Sequence, residues 1–256
     1  MKKKITGVGW DVGGWMGKKQ GLAIAFWEEG NEKIEWPGYP RNVSLSGLTG
    51  VPEFDEFLNR YFSKSFLKGY ITLAVDAPVS FPLKFQRLIC GEKIKMGFPN
   101  REIDNPLAYR ETDRFVFNEF GKKPLSASFD RLGNSSSVAL TFIRNWQKNE
   151  HWILNPSEQK GRKNIIEVYP ALVKENSGGP AFSGVSRHIP PEVDPGTDAY
   201  DAAICALLAI AYGASGSFPD LPPLKDPPEK ELYWKEGWIY HWSQQQMEKM
   251  IFCEKH

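Results

Sequence analysis

The spacing of hydrophobic and polar positions predicts strands and helices that alternate along the chain. Strand character occurs where small, β-branched or aromatic residues run together and end at a turn residue or a proline. The predicted strands are residues 5–12, 21–27, 33–36, 70–75 and 165–169. The first two flank a turn rich in Gly and Lys at 17–21, so they predict a β-hairpin.

Helical spacing of apolar residues separates and follows these strands. The predicted helices are residues 51–66, 106–120, 136–150 and 198–212. The last of them is apolar nearly all round, which predicts a buried helix, and Gly213 is its predicted C-terminal cap. Beyond a Pro-rich stretch, the final segment combines a short aromatic strand at 237–242 with a terminal helix.

The order of the elements indicates the architecture. Three antiparallel strands come first, and helical crossovers lead to the fourth and fifth strands. We therefore predict an α/β fold with a five-stranded mixed sheet and helices on both faces. No linker divides the chain before residue 216, so we expect one domain over 1–256. Within it, residues 78–163 form a helical insertion between strands 4 and 5, and 216–256 form a Pro-rich linker with a C-terminal extension.

Composition is that of a globular protein without a membrane anchor. The chain has 256 residues, 41% of them hydrophobic, which is enough for a sizeable core. Its start has a Lys cluster followed by Gly and Asp instead of an apolar signal core, and its longest apolar stretch, 202–214, is too short to cross a bilayer. Three widely spaced cysteines match neither a zinc site nor a disulfide set. We therefore expect a cytoplasmic protein with reduced thiols and no membrane partner.

Charge is unevenly distributed, although the net charge is only +1. Residues 77–165 contain 15 Lys and Arg against 9 Asp and Glu, a net charge of +6, so the rest of the chain carries −5. A mixed solvated surface and a patch that faces phosphates both fit this asymmetry.

Carboxylates stand at the ends of several predicted elements. Asp11 and Asp76 end strands, Glu167 interrupts an apolar strand, and Asp198 and Asp201 open the last helix. A buried carboxylate costs several kcal/mol unless it is paired or bound to a metal. Asp198 and Asp201 share one helix face, where they can approach one cation or serve the N-terminus as a cap and a dipole partner.

Carboxylates brought to one edge of a sheet repel one another unless a cation lies between them. Mg²⁺ and Mn²⁺ prefer such oxygen ligands. Two ions could activate water and stabilise the leaving oxygen of a phosphodiester. The pattern therefore predicts a divalent-metal site.

The motifs G-V-G-W-D-V-G-G, L-A-V-D-A-P, Y-R-E-T-D, I-I-E-V-Y-P and D-A-Y-D-A-A-I-C-A-L follow in this order. The chain thereby resembles, over roughly residues 5–242, a predicted ribonuclease-H-like nuclease family, domain of unknown function 429. Its D-x-x-D-A helix is also similar to the last helix of Holliday-junction resolvases. The resemblance implies a ribonuclease-H-like fold and one acidic site, with Asp198 as an auxiliary ligand. The acidic set that it implies is Asp11, Asp76, Glu167 and Asp201.

Basic residues near these motifs are candidate phosphate contacts. Arg110 lies in the Y-R-E-T-D motif, but it is also three residues from Asp113, a spacing that allows a structural ion pair on a helix. Lys18 and Lys19 lie in the first hairpin turn, where they could contact a nucleic-acid backbone or only solvent.

Three functions remain open. The first is a metal-dependent nuclease that hydrolyses DNA or RNA with Mg²⁺ or Mn²⁺. The second is an ATP-dependent small-molecule kinase of the actin-like type, because D-V-G-G at 11–14 suits a phosphate-binding hairpin, although the second half offers only Gly178-Gly179-Pro180. The third is a catalytically inactive binding module with the same fold, which is favoured if the acids lie apart or the insertion plugs their site.

Overall fold

The computed structural model describes residues 2–16, 19–62, 67–130, 132–157, 159–176 and 178–252. They form one seven-stranded sheet with the order β3-β2-β1-β4-β6-β5, and β7 also pairs with β6. The strands are β1 (Lys4–Asp11), β2 (Gln20–Glu28), β3 (Glu35–Val43), β4 (Tyr70–Asp76), β5 (Trp152–Leu154), β6 (Lys163–Val168) and β7 (Ile239–Tyr240).

Helices join the strands and cover the sheet. They are α1 (Phe54–Asn59), α2 (Leu83–Ile89), α3 (Glu111–Phe120), α4 (Leu132–Asn149), α5 (Ser183–Ser186), α6 (Asp198–Ala214), α7 (Glu231–Glu236) and α8 (Gln244–Phe252). Short 3-10 turns lie at Glu102–Asp104 and Pro170–Val173. Within the described ranges, no helix combines the length and the apolarity needed to cross a membrane.

The sheet is mixed, as the sequence predicts. β2 runs antiparallel to both β1 and β3. The other pairs, β1–β4, β4–β6, β5–β6 and β6–β7, are parallel. Because β4 occupies one edge of β6, the strands β5 and β7 share the other edge, each along a different part of β6. The predicted α/β class is confirmed.

The number of strands differs from the prediction. The sheet has seven strands rather than five, because β5 and β7 add to it. β7 lies within the short aromatic strand predicted at 237–242, whereas β5 has only three residues, too few to show a period of two in the sequence. β3 continues to Val43, well past the predicted end at residue 36, and includes Pro37 and Pro40. β3 lies at the edge of the sheet, where proline is tolerated because one side of the strand needs no ladder hydrogen bonds.

Helix boundaries also differ from the prediction. α1 begins only at Phe54, and residues 63–66 of its predicted span lie outside the described part of the chain. α6 continues to Ala214, and Ser215 ends it in the left-handed conformation with φ of 50°, so Gly213 is not the cap. Gly213 instead faces Ile5, which leaves no room for a side chain.

Two hydrophobic cores lie on opposite faces of the sheet. The first packs α6 and the aromatic C-terminal segment against one face. The second packs α1 and α4 against the other, where the ring of Trp10 lies 5.3 to 5.9 Å from the rings of Phe57, Phe142 and Trp146. Strand alternation assigns each residue of β1 to one of these faces, and this decides which side a terminal carboxylate occupies.

Helix α6 approaches the sheet very closely. A methyl group on Gly9 would lie 1.9 Å from the carbonyl oxygen of Ala202, and one on Gly21 would lie 1.8 Å from that of Asp198. Only glycine allows this approach, so the small residues of β1 and β2 determine how near the start of α6 comes to the strand ends.

We predict that Gly9→Ala lowers the free energy of unfolding by about 3 kcal/mol or more, because the added methyl group overlaps the backbone of α6. Urea unfolding followed by circular dichroism measures this. The control is Gly50→Ala, where an added methyl group meets nothing within 4 Å. Equal stability of the two variants would contradict the close packing.

Candidate functional site

Two aspartates lie side by side at the carboxyl ends of neighbouring parallel strands. The register between β1 and β4 pairs Asp11 directly with Asp76. Neighbouring strands are about 4.8 Å apart, so the two carboxylates are close. The sheet itself therefore brings together two of the predicted site residues.

Both aspartates project from the face that α6 covers. On β1, Asp11 alternates in step with Gly7 and Gly9, which contact α6, and on β4 Asp76 alternates in step with Ala74 of the same core. Asp201 lies in the first turn of α6. Three aspartates from three elements thus lie near one another on one side of the sheet.

The pKa values of the strand pair reflect burial and mutual repulsion. Burial, followed by the charges of Asp76, Asp201 and Asp198, raises the pKa of Asp11 well above its ordinary value. Burial and the charges of Asp201 and Glu167 likewise raise the pKa of Asp76 to about 8. A pair of carboxylates with such values is unstable when both are charged, and a nearby cation relieves the instability.

Lys174 is the cation that faces this group of aspartates. Its side chain is buried and forms an ion pair with Asp201. The charge of Lys174 lowers the pKa of Asp11, Asp76 and Asp201, opposing the larger effect of burial on each. Lys174 follows an apolar turn after β6, and the sequence analysis did not single it out.

Glu167 lies near enough to Asp76 for its charge to raise the pKa of that aspartate, but its side chain leaves the sheet on the other face. It alternates in step with Ile165, whose side chain packs in the core on the α4 face, so Glu167 projects from the opposite side of the sheet. Its carboxylate accepts hydrogen bonds from both terminal nitrogens of Arg110, at 2.6 and 2.7 Å, and from the backbone N–H of Val79 at 3.0 Å. Three of the four predicted acids therefore lie on the α6 side of the sheet, and Glu167, which is paired with Arg110, leaves from the other side.

Arg110 is buried between two carboxylates. Besides Glu167, its guanidinium donates to both oxygens of Asp113, at 2.8 and 3.1 Å. The structural ion pair that the spacing of Arg110 and Asp113 allowed is present, and a second carboxylate strengthens it. Of the two predicted lysine contacts, Lys19 is exposed, and Lys18 lies outside the described residues.

Asp198 has an electrostatic role at the start of α6. The cap is Thr197, whose hydroxyl accepts a hydrogen bond from the backbone N–H of Tyr200 at 3.2 Å. The charge of Asp198 raises the pKa of both Asp11 and Asp201. Asp198 is therefore not the N-cap, and it adds negative potential to the aspartate group.

Glu236 fixes the helices beside the site, although the sequence analysis gave it no role. Its buried carboxylate accepts hydrogen bonds from the backbone N–H groups of Leu83 at 2.7 Å and Glu111 at 2.8 Å. These groups open α2 and α3, so one side chain anchors both helix starts. Arg110, which directly precedes α3, is thereby held in place.

A cavity of about 240 Å³ opens at the carboxyl ends of β1, β4 and β6. Asp11 and Asp76 line it, together with Arg110, Glu167 and Tyr169. Since about 10–15 Å³ of cavity space suffices to hold one water molecule, the cavity is large enough for a hydrated ion together with a phosphate group. Neither Asp201 nor Lys174 lines this cavity. Of the three aspartates that do, Asp113 is paired with Arg110, which leaves Asp11 and Asp76 as the two without a cation partner among the described residues.

The fit of a divalent cation depends on how many free carboxylates the cavity offers. Among the residues that the structure describes, no group of three or more His, Cys, Asp or Glu side chains is arranged to hold one metal ion. Mg²⁺, however, often takes only one or two protein carboxylates and completes its coordination with water and substrate phosphate. Asp11 and Asp76 fit this requirement, whereas Glu167 and Asp201 are already paired with cations of the chain.

Comparisons with known protein families, with characterised proteins and with solved structures find no match to this chain. The chemistry of the site is therefore inferred from its own residues. These are two facing aspartates with raised pKa values, a third that is paired with Lys174, and a cavity at the ends of the strands.

We predict that Asp76→Asn stabilises the metal-free protein at pH 8 by about 2–4 kcal/mol. The pKa of Asp76 rises from about 3.9 in the unfolded chain to about 8 in the folded one. The folded state therefore binds the proton more tightly, and the wild type loses stability as the pH rises from 4 to 8. Asn carries no charge, so the variant lacks this loss.

Urea unfolding in EDTA at several pH values measures the effect. The control is Asp194→Asn, which removes an exposed carboxylate and should change stability by no more than about 0.5 kcal/mol. If Asp76→Asn raises the free energy of unfolding no more at pH 8 than at pH 4, the pKa of Asp76 is not raised in the folded protein.

We predict that Arg110→Met destabilises the protein by about 3–5 kcal/mol, because it leaves Glu167 and Asp113 buried without a cation. Thermal or urea unfolding at neutral pH tests this. Arg101→Met is a matched control, since Arg101 also pairs with an acid three residues away, Asp104, but on the surface. Its cost should stay below about 1 kcal/mol, and a similar cost for both variants would contradict the buried role of Arg110.

Proposed function

We propose that this protein is a divalent-metal-dependent hydrolase that cleaves phosphodiester bonds in nucleic acid. The observation that carries the proposal is the pairing of Asp11 with Asp76 at the strand ends, where both face the cavity. Open α/β sheets bind ligands at the carboxyl ends of their strands, which is where this cavity lies.

The proposal includes a ribonuclease-H-like fold. Support comes from the three antiparallel strands that precede the parallel ones, and from the helices that lie between β4 and β6. In this proposal, residues 1–256 form one domain, 78–163 are its helical insertion and 216–256 its C-terminal extension. Cys90 and Cys205 are free thiols, which suits the proposed cytoplasmic location.

Asp11 and Asp76 would hold one Mg²⁺ or Mn²⁺ ion. Such an ion supplies a Lewis acid that polarises a phosphate oxygen and makes bound water more acidic. Asp201 and Asp198 add negative potential that favours a cation. Lys174 neutralises Asp201 and provides a second positive charge beside the pair, so we propose a site for one ion rather than two.

The substrate class follows from the chemistry of the site and the charge of its surroundings. A cation held by only two carboxylates leaves positions open for phosphate oxygens. The excess of Lys and Arg over residues 77–165 favours a polyanionic partner. DNA and RNA share both features, so the proposal covers both.

A second candidate is a binding module that has the fold but no catalysis. One observation favours it. Arg110, from the segment 78–163, donates hydrogen bonds to both oxygens of Glu167, so this carboxylate of the predicted acidic set is already paired. This module would bind nucleic acid without cleaving it, and the assay below separates the two functions.

We predict that the protein cleaves at least one of four labelled substrates, single-stranded or structured DNA or RNA, when Mg²⁺ or Mn²⁺ is present. Asp76→Asn should lower the rate by about 100-fold or more, because it removes a ligand charge. Calorimetric titration with Mn²⁺ should show one ion per chain and a binding constant that Asp11→Asn weakens by more than about tenfold.

Asp194→Asn serves as the control in the titration and should bind Mn²⁺ like the wild type, because its side chain is exposed and does not line the cavity. Binding of one Mn²⁺ without cleavage of any substrate would favour the inactive module. No cleavage together with Mn²⁺ binding that Asp11→Asn leaves unchanged would refute the proposal.

A further inference from the structure

An exposed tryptophan is held in a fixed position on the segment that follows β1. The side chain of Trp15 is 50% exposed, which is unusual for so large an apolar residue. Its indole N–H donates to the hydroxyl of Ser137 at 2.8 Å, and its backbone N–H donates to the side-chain oxygen of Asn134 at 3.1 Å. Trp15 is thus held against α4 while half of its surface stays open.

Trp15 is close in sequence to the wall of the cavity. It follows Val12, which lines the cavity, by three residues, and the same turn carries Asp11 at the end of β1. The turn is fixed by close packing, since a methyl group on Gly14 would lie 2.1 Å from the side-chain nitrogen of Asn134. The open indole is therefore held on the segment that leads away from the cavity wall.

A second exposed ring lies just before α4. Phe129 is 60% exposed and packs edge-on against Phe85, with ring centroids 5.5 Å apart. Leu125, a few residues earlier and also exposed, lines the cavity that holds Asp11 and Asp76. Leu125 is thus an exposed apolar residue of the cavity wall itself. We call Trp15, Phe85, Leu125 and Phe129 together the ring surface.

Exposed cations continue from this surface. Residues 84–101 contain five Lys and Arg but one Glu. Lys84, Lys93 and Lys95 are exposed, and they form no ion pair with any part of the chain that the structure describes. Lys84 directly precedes Phe85, so the basic stretch 84–101 begins next to a residue of the ring surface.

Exposed rings and exposed lysines together suit the binding of single-stranded nucleic acid. Bases of a single strand expose their faces to aromatic side chains, and their phosphates attract lysines, whereas a duplex keeps its bases stacked inside. We infer that the ring surface, with Lys84, Lys93 and Lys95, binds single-stranded nucleic acid and leads it to the cavity. This inference rests on the proposed function and deepens it, because it names single strands as the substrate class.

The test is binding of a fluorescent oligothymidylate of about 20 nucleotides, measured by anisotropy in EDTA so that no cleavage occurs. Removing the ring on which one base stacks costs about 1–3 kcal/mol, so Trp15→Ala should weaken binding by roughly 5- to 150-fold. Trp15→Phe keeps a ring and should retain most of the affinity. Phe129→Ala should also weaken binding.

Trp234→Ala is the matched control, because Trp234 on α7 is 44% exposed and does not belong to the ring surface. It should bind like the wild type. Replacing Lys93 and Lys95 by Gln should reduce the slope of log Kd against log salt by about 1.4, or roughly 0.7 for each phosphate that is no longer neutralised.

Equal binding by Trp15→Ala and the wild type would overturn the inference, as would equal competition by a blunt duplex of the same length. Binding of anionic lipid vesicles in place of the oligonucleotide would also overturn it. The two proposals fail separately. Trp15-dependent binding without cleavage under any metal condition supports the ring surface and refutes the hydrolase. Cleavage that Trp15→Ala leaves unchanged supports the hydrolase and refutes the ring surface.

Discussion

The repulsion between Asp11 and Asp76 is the interaction on which the rest of the site depends. The parallel register of β1 and β4 places the two carboxylates side by side, and glycines in β1 and β2 let the start of α6 bring Asp201 close as well. Burial makes these charges costly, so the pKa values of the pair rise. A cation at the strand ends is the simplest way to stabilise this arrangement.

The chain supplies two cations of its own, and they divide the acids between them. On the α6 side Lys174 neutralises Asp201, and on the α4 side Arg110 neutralises Glu167 and Asp113. Asp11 and Asp76 are the pair that remains open to the cavity. Removing either cation would leave a carboxylate unpaired, so the same ion pairs stabilise the fold and define which acids can take a ligand.

Local patterns in the sequence were enough to predict the elements that carry Asp11, Asp76 and Asp201, because each lies at the end of a strongly apolar segment. Alternation within the Ile-Ile-Glu-Val-Tyr strand predicted that the side chain of Glu167 projects from the face opposite to those of its two neighbours. Which face of the sheet this is depends on tertiary packing. The spacing of Arg110 and Asp113 indicated one of the ion pairs. The other two, Lys174 with Asp201 on α6 and Arg110 with Glu167 on β6, join residues that are far apart in the chain. No local pattern reports such pairings, so the separation of the acids became visible only in the structure.

The central claim is that Asp11 and Asp76 together hold one divalent ion. Crystals soaked in Mn²⁺ test it most directly through an anomalous difference map. The account predicts a single strong peak at about 2.1–2.2 Å from one oxygen of each carboxylate, with Lys174 still paired to Asp201. No peak at saturating Mn²⁺, or a peak bound by Glu167 after Arg110 has moved away, would contradict it.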